Sequence, residues 1–141
     1  MKEDLTIFYA DDDQDDRNMM KEALQEADPD VCVIEAENGL QLLSNIHNAQ
    51  DLSSSIVIVD MSMPAMNGLE LIQLLKDDLR FSNLTTIMMT TSNDTGLKIN
   101  AIRSGANGFI TKPVSVPALS IIAKDIFKYF LLQKRYDPQA F

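Results

Sequence analysis

The sequence predicts an α/β fold in which five parallel strands form a doubly wound sheet covered by helices on both faces. Short apolar runs alternate with longer segments of helical spacing along the chain, and a β-α-β-α order implies a parallel sheet. The runs are also nearly continuous in apolar residues, as strands buried on both faces are. Crossovers between parallel strands are right-handed, which nearly fixes the topology.

Leu5 to Ala10, Val31 to Ala36, Ser55 to Val59, Thr86 to Met89 and Phe109 to Ile110 read as strands, being short, rich in β-branched or aromatic residues and bounded by polar or turn residues. Between them, Met19, Met20, Ala23, Leu24 and Ala27 repeat at helical spacing, as do Leu40, Leu42, Leu43 and Ile46, and then Leu69, Leu71, Ile72, Leu74 and Leu75. Asn38, Asn67 and Asn93 stand where N-caps belong, and Gly105 stands where a C′ glycine ends the fourth helix, about Asp94 to Ser104. That helix has a thin apolar stripe and contains Gly96 and Asn100, which marks it as a candidate moving part. The last helix, from Ser115 or Pro117 through Lys134, carries Leu119, Ile122, Ala123, Ile126, Phe127 and Phe130 on one face and Ile121, Tyr129 and Leu132 on another. The second stripe is either scattered surface or a partner face.

The 141 residues fit a single domain over 1–141, with a core of about 4–130, a short tail at 133–141 and no separate output domain. With 12 Lys and Arg against 21 Asp and Glu, the net charge of −9 argues against nucleic acid or an anionic membrane surface as a partner. The opening residues lack a signal-peptide core, and the apolar run Ile56 to Val59 is far too short to span a bilayer, so a cytoplasmic location is expected. The sole cysteine, Cys32, closes no intrachain disulfide.

Ligands of open parallel sheets bind beyond the C-terminal strand ends. That rule selects Asp11 and Asp12 after the first strand, Asp60 after the third, Thr90 and Thr91 after the fourth, and Thr111 and Lys112 after the fifth. Crowded carboxylates repel one another unless a cation neutralises them, and an all-oxygen site with few protein ligands favours Mg²⁺, with Mn²⁺ as the alternative. Asp13, Asp15 and Asp16 read instead as a solvated loop and helix start. Asp11, Asp13, Asp15 and Glu22 match the acidic positions of an EF-hand loop, but Asp16 stands where that loop needs glycine. A metal, the Lys112 ammonium and the Thr90 hydroxyl around a carboxylate oxygen of Asp60 form an arrangement suited to a transferring phosphoryl group, with the aspartate as nucleophile.

From Leu5 to about Phe130 the chain resembles the receiver domains of two-component response regulators. The resemblance is carried by Phe8-Tyr9-Ala10-Asp11-Asp12, the stretch Asp60-Met61-Ser62-Met63-Pro64-Ala65-Met66-Asn67-Gly68, the strand-end Thr90, and Phe109-Ile110-Thr111-Lys112-Pro113. It implies a flavodoxin-like sheet in the order 2-1-3-4-5. It further implies Asp60 as phosphoacceptor from a sensor histidine kinase or histidine phosphotransfer protein, without enzymatic activity on a separate substrate. Asp12, Asp60 and the backbone carbonyl of Ser62 would ligate Mg²⁺, with Asp11 acting through a water. Lys112 would hold a phosphoryl oxygen and be joined to Pro113 by a cis bond, while Thr90 and Phe109 would switch together. Thr91 stands where a smaller residue is usual, Phe109 lacks the hydroxyl of the commoner Tyr, and Ser62 and Ser92 occupy positions that tune the lifetime of the aspartyl phosphate. The stretches Met89 to Ser92 and Gly105 to Val114, with the aromatic last helix, look most like the phytochrome-associated regulators, which implies a homodimer through that helix.

The alternatives are a pseudo-receiver that binds partners without phosphorylation, an aspartyl-phosphate phosphatase and a flavin carrier. A pseudo-receiver would be expected to have lost an acid or Lys112. A phosphatase of the haloacid dehalogenase type needs an acid where Ser62 stands. A flavin carrier is disfavoured by the acidic first loop, which repels a cofactor phosphate.

Overall fold

The computed structural model of the protein describes residues 4–135 apart from positions 93 and 114. Five strands, β1 (Thr6–Ala10), β2 (Cys32–Ala36), β3 (Ser55–Asp60), β4 (Thr85–Thr90) and β5 (Gly108–Thr111), alternate with five helices, α1 (Gln14–Ala27), α2 (Gly39–His47), α3 (Gly68–Asp77), α4 (Thr95–Arg103) and α5 (Val116–Arg135). All strand pairs are parallel, and the sheet runs β2-β1-β3-β4-β5, the order expected of a flavodoxin-like fold.

Side chains alternate across this sheet with period two. Ile7 and Tyr9 of β1, Ile56 and Ile58 of β3, and Ile87 and Met89 of β4 pack against Met20 and Leu24 of α1 and Leu119, Ala123 and Ile126 of α5. The intervening Phe8, Ala10, Val57 and Val59 pack against Leu42 and Ile46 of α2 and Leu71 and Leu75 of α3. Every residue of β3 is buried, because it lies at the centre of the sheet between both helical layers. A third, smaller cluster joins Ile72, Met88, Ala101 and Ala106, with Phe109 packed against it. Ala101 is the only buried residue of α4, so the thin stripe seen in the sequence is a thin attachment in space.

Three sequence expectations are adjusted. Met19, Leu40 and Leu74 were assigned to apolar stripes but stand exposed, each at the edge of its helix's buried face. The expected cap at Asn93, together with Val114 and the tail from 136 onward, lies outside the described residues; Asp94 caps α4 by accepting the Gly96 N–H at 2.7 Å. Strands β3, β4 and β5 extend further than their apolar runs, so that Asp60, Thr90 and Thr111 are themselves the last strand residues. Asn38 and Asn67 cap α2 and α3 as expected, accepting the backbone N–H of Gln41 and Glu70. Among the described residues no helix is long and apolar enough to cross a membrane.

Two glycines are dictated by the backbone. Gly105 has φ +109° and ends α4 in a Schellman turn, its own N–H donating to Ile102 and that of Ala106 to Ala101. Gly68 begins α3 close under the end of β3: a Cβ there would lie 2.9 Å from the Asp60 carbonyl oxygen, 3.0 Å from Met61 Cα and 2.8 Å from Met88 Sδ. The absence of that Cβ lets α3 start directly beneath the strand end that carries Asp60. Gly68→Ala is therefore expected to cost about 1–3 kcal/mol by overpacking, read as a lower urea midpoint at unchanged slope.

Candidate functional site

The site lies at the C-terminal edge of the sheet. Asp11 follows β1, Asp60 ends β3, Thr90 ends β4 and Lys112 follows β5. Because β1 and β3 are neighbours, Asp11, Asp12 and Asp60 converge, with one carboxylate oxygen of each within 4.8 Å of the others. Asp11 is completely buried, Asp60 is 5% exposed, and Asp12 stands at the open rim. The Lys112 Nζ reaches in from the β5 edge of the sheet, 2.7 Å from Asp11 Oδ2, 2.9 Å from Asp16 Oδ2 and 3.1 Å from Asp60 Oδ2. Its backbone N–H donates to the Thr90 carbonyl at 2.6 Å, which anchors the start of this loop to β4.

The surrounding donors are fixed locally. Asp60 Oδ1 accepts the Ser62 N–H at 3.1 Å, and Asp11 Oδ1 accepts the Asp13 N–H at 3.0 Å. Asp11 Oδ2 also accepts the Tyr9 hydroxyl at 2.8 Å, and the buried Arg17 donates from Nη1 to the Asp11 carbonyl at 2.6 Å. The Thr90 hydroxyl accepts the Ser92 N–H at 3.2 Å. Thr91 is exposed, and Phe109 packs half-buried beside α4, with Lys98 Nζ 5.6 Å from its ring centre. Asp11, Asp12, Asp60 and Lys112 thus form one cluster, Thr90 borders it, and Phe109 stands apart.

Two sequence assignments change. The Lys112–Pro113 bond was expected to be cis, but no cis bond occurs among the described residues. The trans form is the intrinsically favoured one, and here it coexists with every Lys112 contact just described. Asp16 was assigned to a solvated helix start, yet it pairs with Lys112, because the first turn of α1 rises beside the end of β5. Asp13 and Asp15 are exposed as expected, and Asp13 in addition caps α1 by accepting the Asp16 N–H, with Asp15 in the first turn. Tyr9 and Arg17 are the contributors that the sequence reading passed over. Tyr9 was legible by period, lying on β1 two residues before Asp11, which follows the strand end; Arg17 carried no comparable signal.

The electrostatics divide the acids. Burial and the neighbouring Asp11 push Asp60 up to about 6 against the pull of the Ser62 N–H and Lys112. Burial also acts upward on Asp11, but Lys112, the Asp13 N–H and Tyr9 outweigh it and hold the carboxyl low. Lys112, despite burial, is held charged by Asp11, Asp16 and Asp60, and burial beside Asp11 keeps the Tyr9 phenol protonated. One ammonium therefore faces more carboxylate charge than it can cancel. The donor set is oxygen only, with a reachable acid at the rim, and it fits a hard divalent cation.

The profile of the response regulator receiver domain family matches residues 7–124. Chemotaxis protein CheY1 of Helicobacter pylori is 30% identical over 115 residues, covering 82% of this chain and 90% of that protein. CheY of Listeria monocytogenes is 34% identical over 110 residues, covering 77% and 87%. Among solved structures, the phosphorylated cyanobacterial phytochrome response regulator RcpA superposes with a TM-score of 0.80 at 20% identity, covering 92% of this chain and 95% of that one.

An acid whose folded pKa is raised loses stability as pH climbs through the interval between its unfolded and folded values. For Asp60 that interval runs from 3.8 to about 6, and above it the ionised group is a destabilising charge awaiting a counterion. Mg²⁺ is accordingly expected to raise the melting temperature more near pH 7.5 than near pH 5, where protons compete for the same carboxylate. Equal shifts at both pH values in a thermal melt would contradict this.

Proposed function

The chain belongs to the response regulator receiver domain family, and from that premise we propose that it is a phosphoacceptor switch in which Asp60 takes a phosphoryl group from a sensor histidine kinase or histidine phosphotransfer protein. The observation that carries the proposal is the placement of the Lys112 ammonium 3.1 Å from Asp60 Oδ2, beside three acids gathered within 4.8 Å at the ligand-binding edge of the sheet.

In this reading an Asp60 carboxylate oxygen attacks the phosphorus of a phosphohistidine. The new O–P bond forms as the P–N bond breaks, and the leaving imidazole keeps the electron pair and takes a proton. Asp12, Asp60 and the Ser62 carbonyl would hold Mg²⁺, or Mn²⁺ in its place, with Asp11 acting through a water. The ion supplies neutralisation of phosphoryl charge when bound. Lys112 holds a phosphoryl oxygen as a point charge, and burial of Asp60 keeps water from diluting that interaction.

The output is a change of protein-binding face. Thr90 turns its hydroxyl to the phosphoryl group, Phe109 moves into the space released, and α4, held by Ala101, follows. Retention of Asp11, Asp12, Asp60 and Lys112 in one cluster favours this over a pseudo-receiver. Ser62, where a phosphatase of the dehalogenase type needs an acid, favours it over that enzyme. The location in which such a kinase partner operates is the cytoplasm. The exposed Tyr129 and Leu132 of α5 form the face through which two copies would pair.

Asp60→Asn should abolish labelling by a small phosphodonor with Mg²⁺ present, read by intact mass, and labelling that persists would refute the assignment. Asp12→Ala should weaken Mg²⁺ binding strongly and Asp15→Ala barely, because Asp15 lies outside the acid cluster; equal losses would count against it. Leu132→Asp should convert a dimer to a monomer in light scattering, and a monomeric parent protein at high micromolar concentration would remove the dimer from the proposal.

A further inference from the structure

Tyr9 is a polar residue in a strand that is otherwise apolar between Ile7 and Ala10, and it is completely buried within the α1/α5 core. A phenylalanine would fill the same volume, so packing does not explain the hydroxyl. An unpaired buried hydroxyl is costly, and this one is paired with a single acceptor, Asp11 Oδ2 at 2.8 Å. That oxygen also receives the Lys112 ammonium at 2.7 Å, and Oδ1 receives the Asp13 N–H at 3.0 Å. Arg17 pins the carbonyl of the same residue. Asp11 is thereby held at both ends of its carboxylate and at its backbone, with Oδ2 committed to donors inside the protein. Asp12, by contrast, stands at the exposed rim of the cluster.

We propose that Tyr9 is a positioning residue that holds the Asp11 carboxylate turned into the protein, restricting Asp11 to an indirect role at the acid cluster and lowering the cluster's affinity for a divalent cation. The inference rests on the cluster being a cation site. The phenol and a cation compete for the same oxygen: a lone pair engaged by an O–H is withdrawn from a metal, and a carboxylate oxygen that already accepts from two donors has less charge to offer a third partner. The ring, anchored between α1 and α5, makes the restraint rigid.

The test is Mn²⁺ binding, read as free Mn²⁺ by electron paramagnetic resonance, for the parent protein, Tyr9→Phe, Asp11→Asn and the double variant. Tyr9→Phe should bind Mn²⁺ about three- to tenfold more tightly, the size of one released hydrogen bond, and the gain should vanish in the Asp11→Asn background. An unchanged or weaker affinity in Tyr9→Phe, or an equal gain without the Asp11 carboxylate, overturns the role of Tyr9. If the parent protein binds no Mn²⁺, the cation reading itself fails and the inference falls with it. A second measurement needs no metal-binding variant: the ultraviolet absorption difference between parent and Tyr9→Phe should show a phenol band shifted to the red by its carboxylate acceptor, and saturation with Mg²⁺ should leave that band in place. Loss of the shifted band on saturation would mean that the cation pulls Asp11 away from Tyr9, and would overturn the restraint.

Discussion

The site is governed by charge imbalance at one edge of the sheet. Lys112 sits within 3.1 Å of Asp11, Asp16 and Asp60, while Asp12 completes the ring of acids at the rim. An ammonium can neutralise one carboxylate, so the remainder persists as repulsion that the fold must contain. It is contained by topology. Strands β1 and β3 are adjacent, which brings Asp11 and Asp60 together, and the Lys112 N–H bond to Thr90 brings the cation across from β5. The close start of α3 at Gly68 and the Ser62 N–H then fix Asp60 in place. Repulsion held by packed elements is what makes the pocket receptive to positive charge.

The alternation of the sheet explains how the site is divided. Ile58, Met89 and Ile110 all belong to or pack against the α1/α5 core, and the period of two carries that face on to Asp60 and Lys112, as Tyr9 carries it to Asp11. Met88 and Phe109 are paired in register and belong to the smaller cluster beside α4. The charge-bearing groups thus continue one face of the sheet and the Thr90–Phe109 pair continues the other. The ends of β3 and β4 are tied together where these faces meet, the Met61 N–H donating to the Met89 carbonyl at 2.8 Å.

Most of the fold was legible because buried parallel strands are short apolar runs and their helices repeat every three to four residues. The edges were less legible: Asp60, Thr90 and Thr111 are strand residues with polar side chains, which apolar patterning stops short of. At the site, Asp11, Asp12, Asp60 and Lys112 followed from the rule of strand ends. Asp16 did not, since its role depends on the rise of α1 beside β5, a tertiary relation that local spacing does not encode. The exposed Met19 shows the converse, a residue that fits a helical stripe yet lies beyond the face the core covers. The trans peptide at Lys112 departs from the family expectation.

The single buried residue of α4 has a further meaning. The helix is joined to the sheet by Ala101 and to α3 by the grip of Lys76, whose Nζ donates to the carbonyls of Ser82 and Leu84 and whose stem lies against Gly105. Among the described residues its C-terminal end is held by these contacts and by the Schellman turn, while its N-terminal turn is held by the local Asp94 cap on the Gly96 N–H. The helix is therefore tied to the rest of the fold chiefly at its Gly105 end, and its other end follows the strand end that carries Thr90.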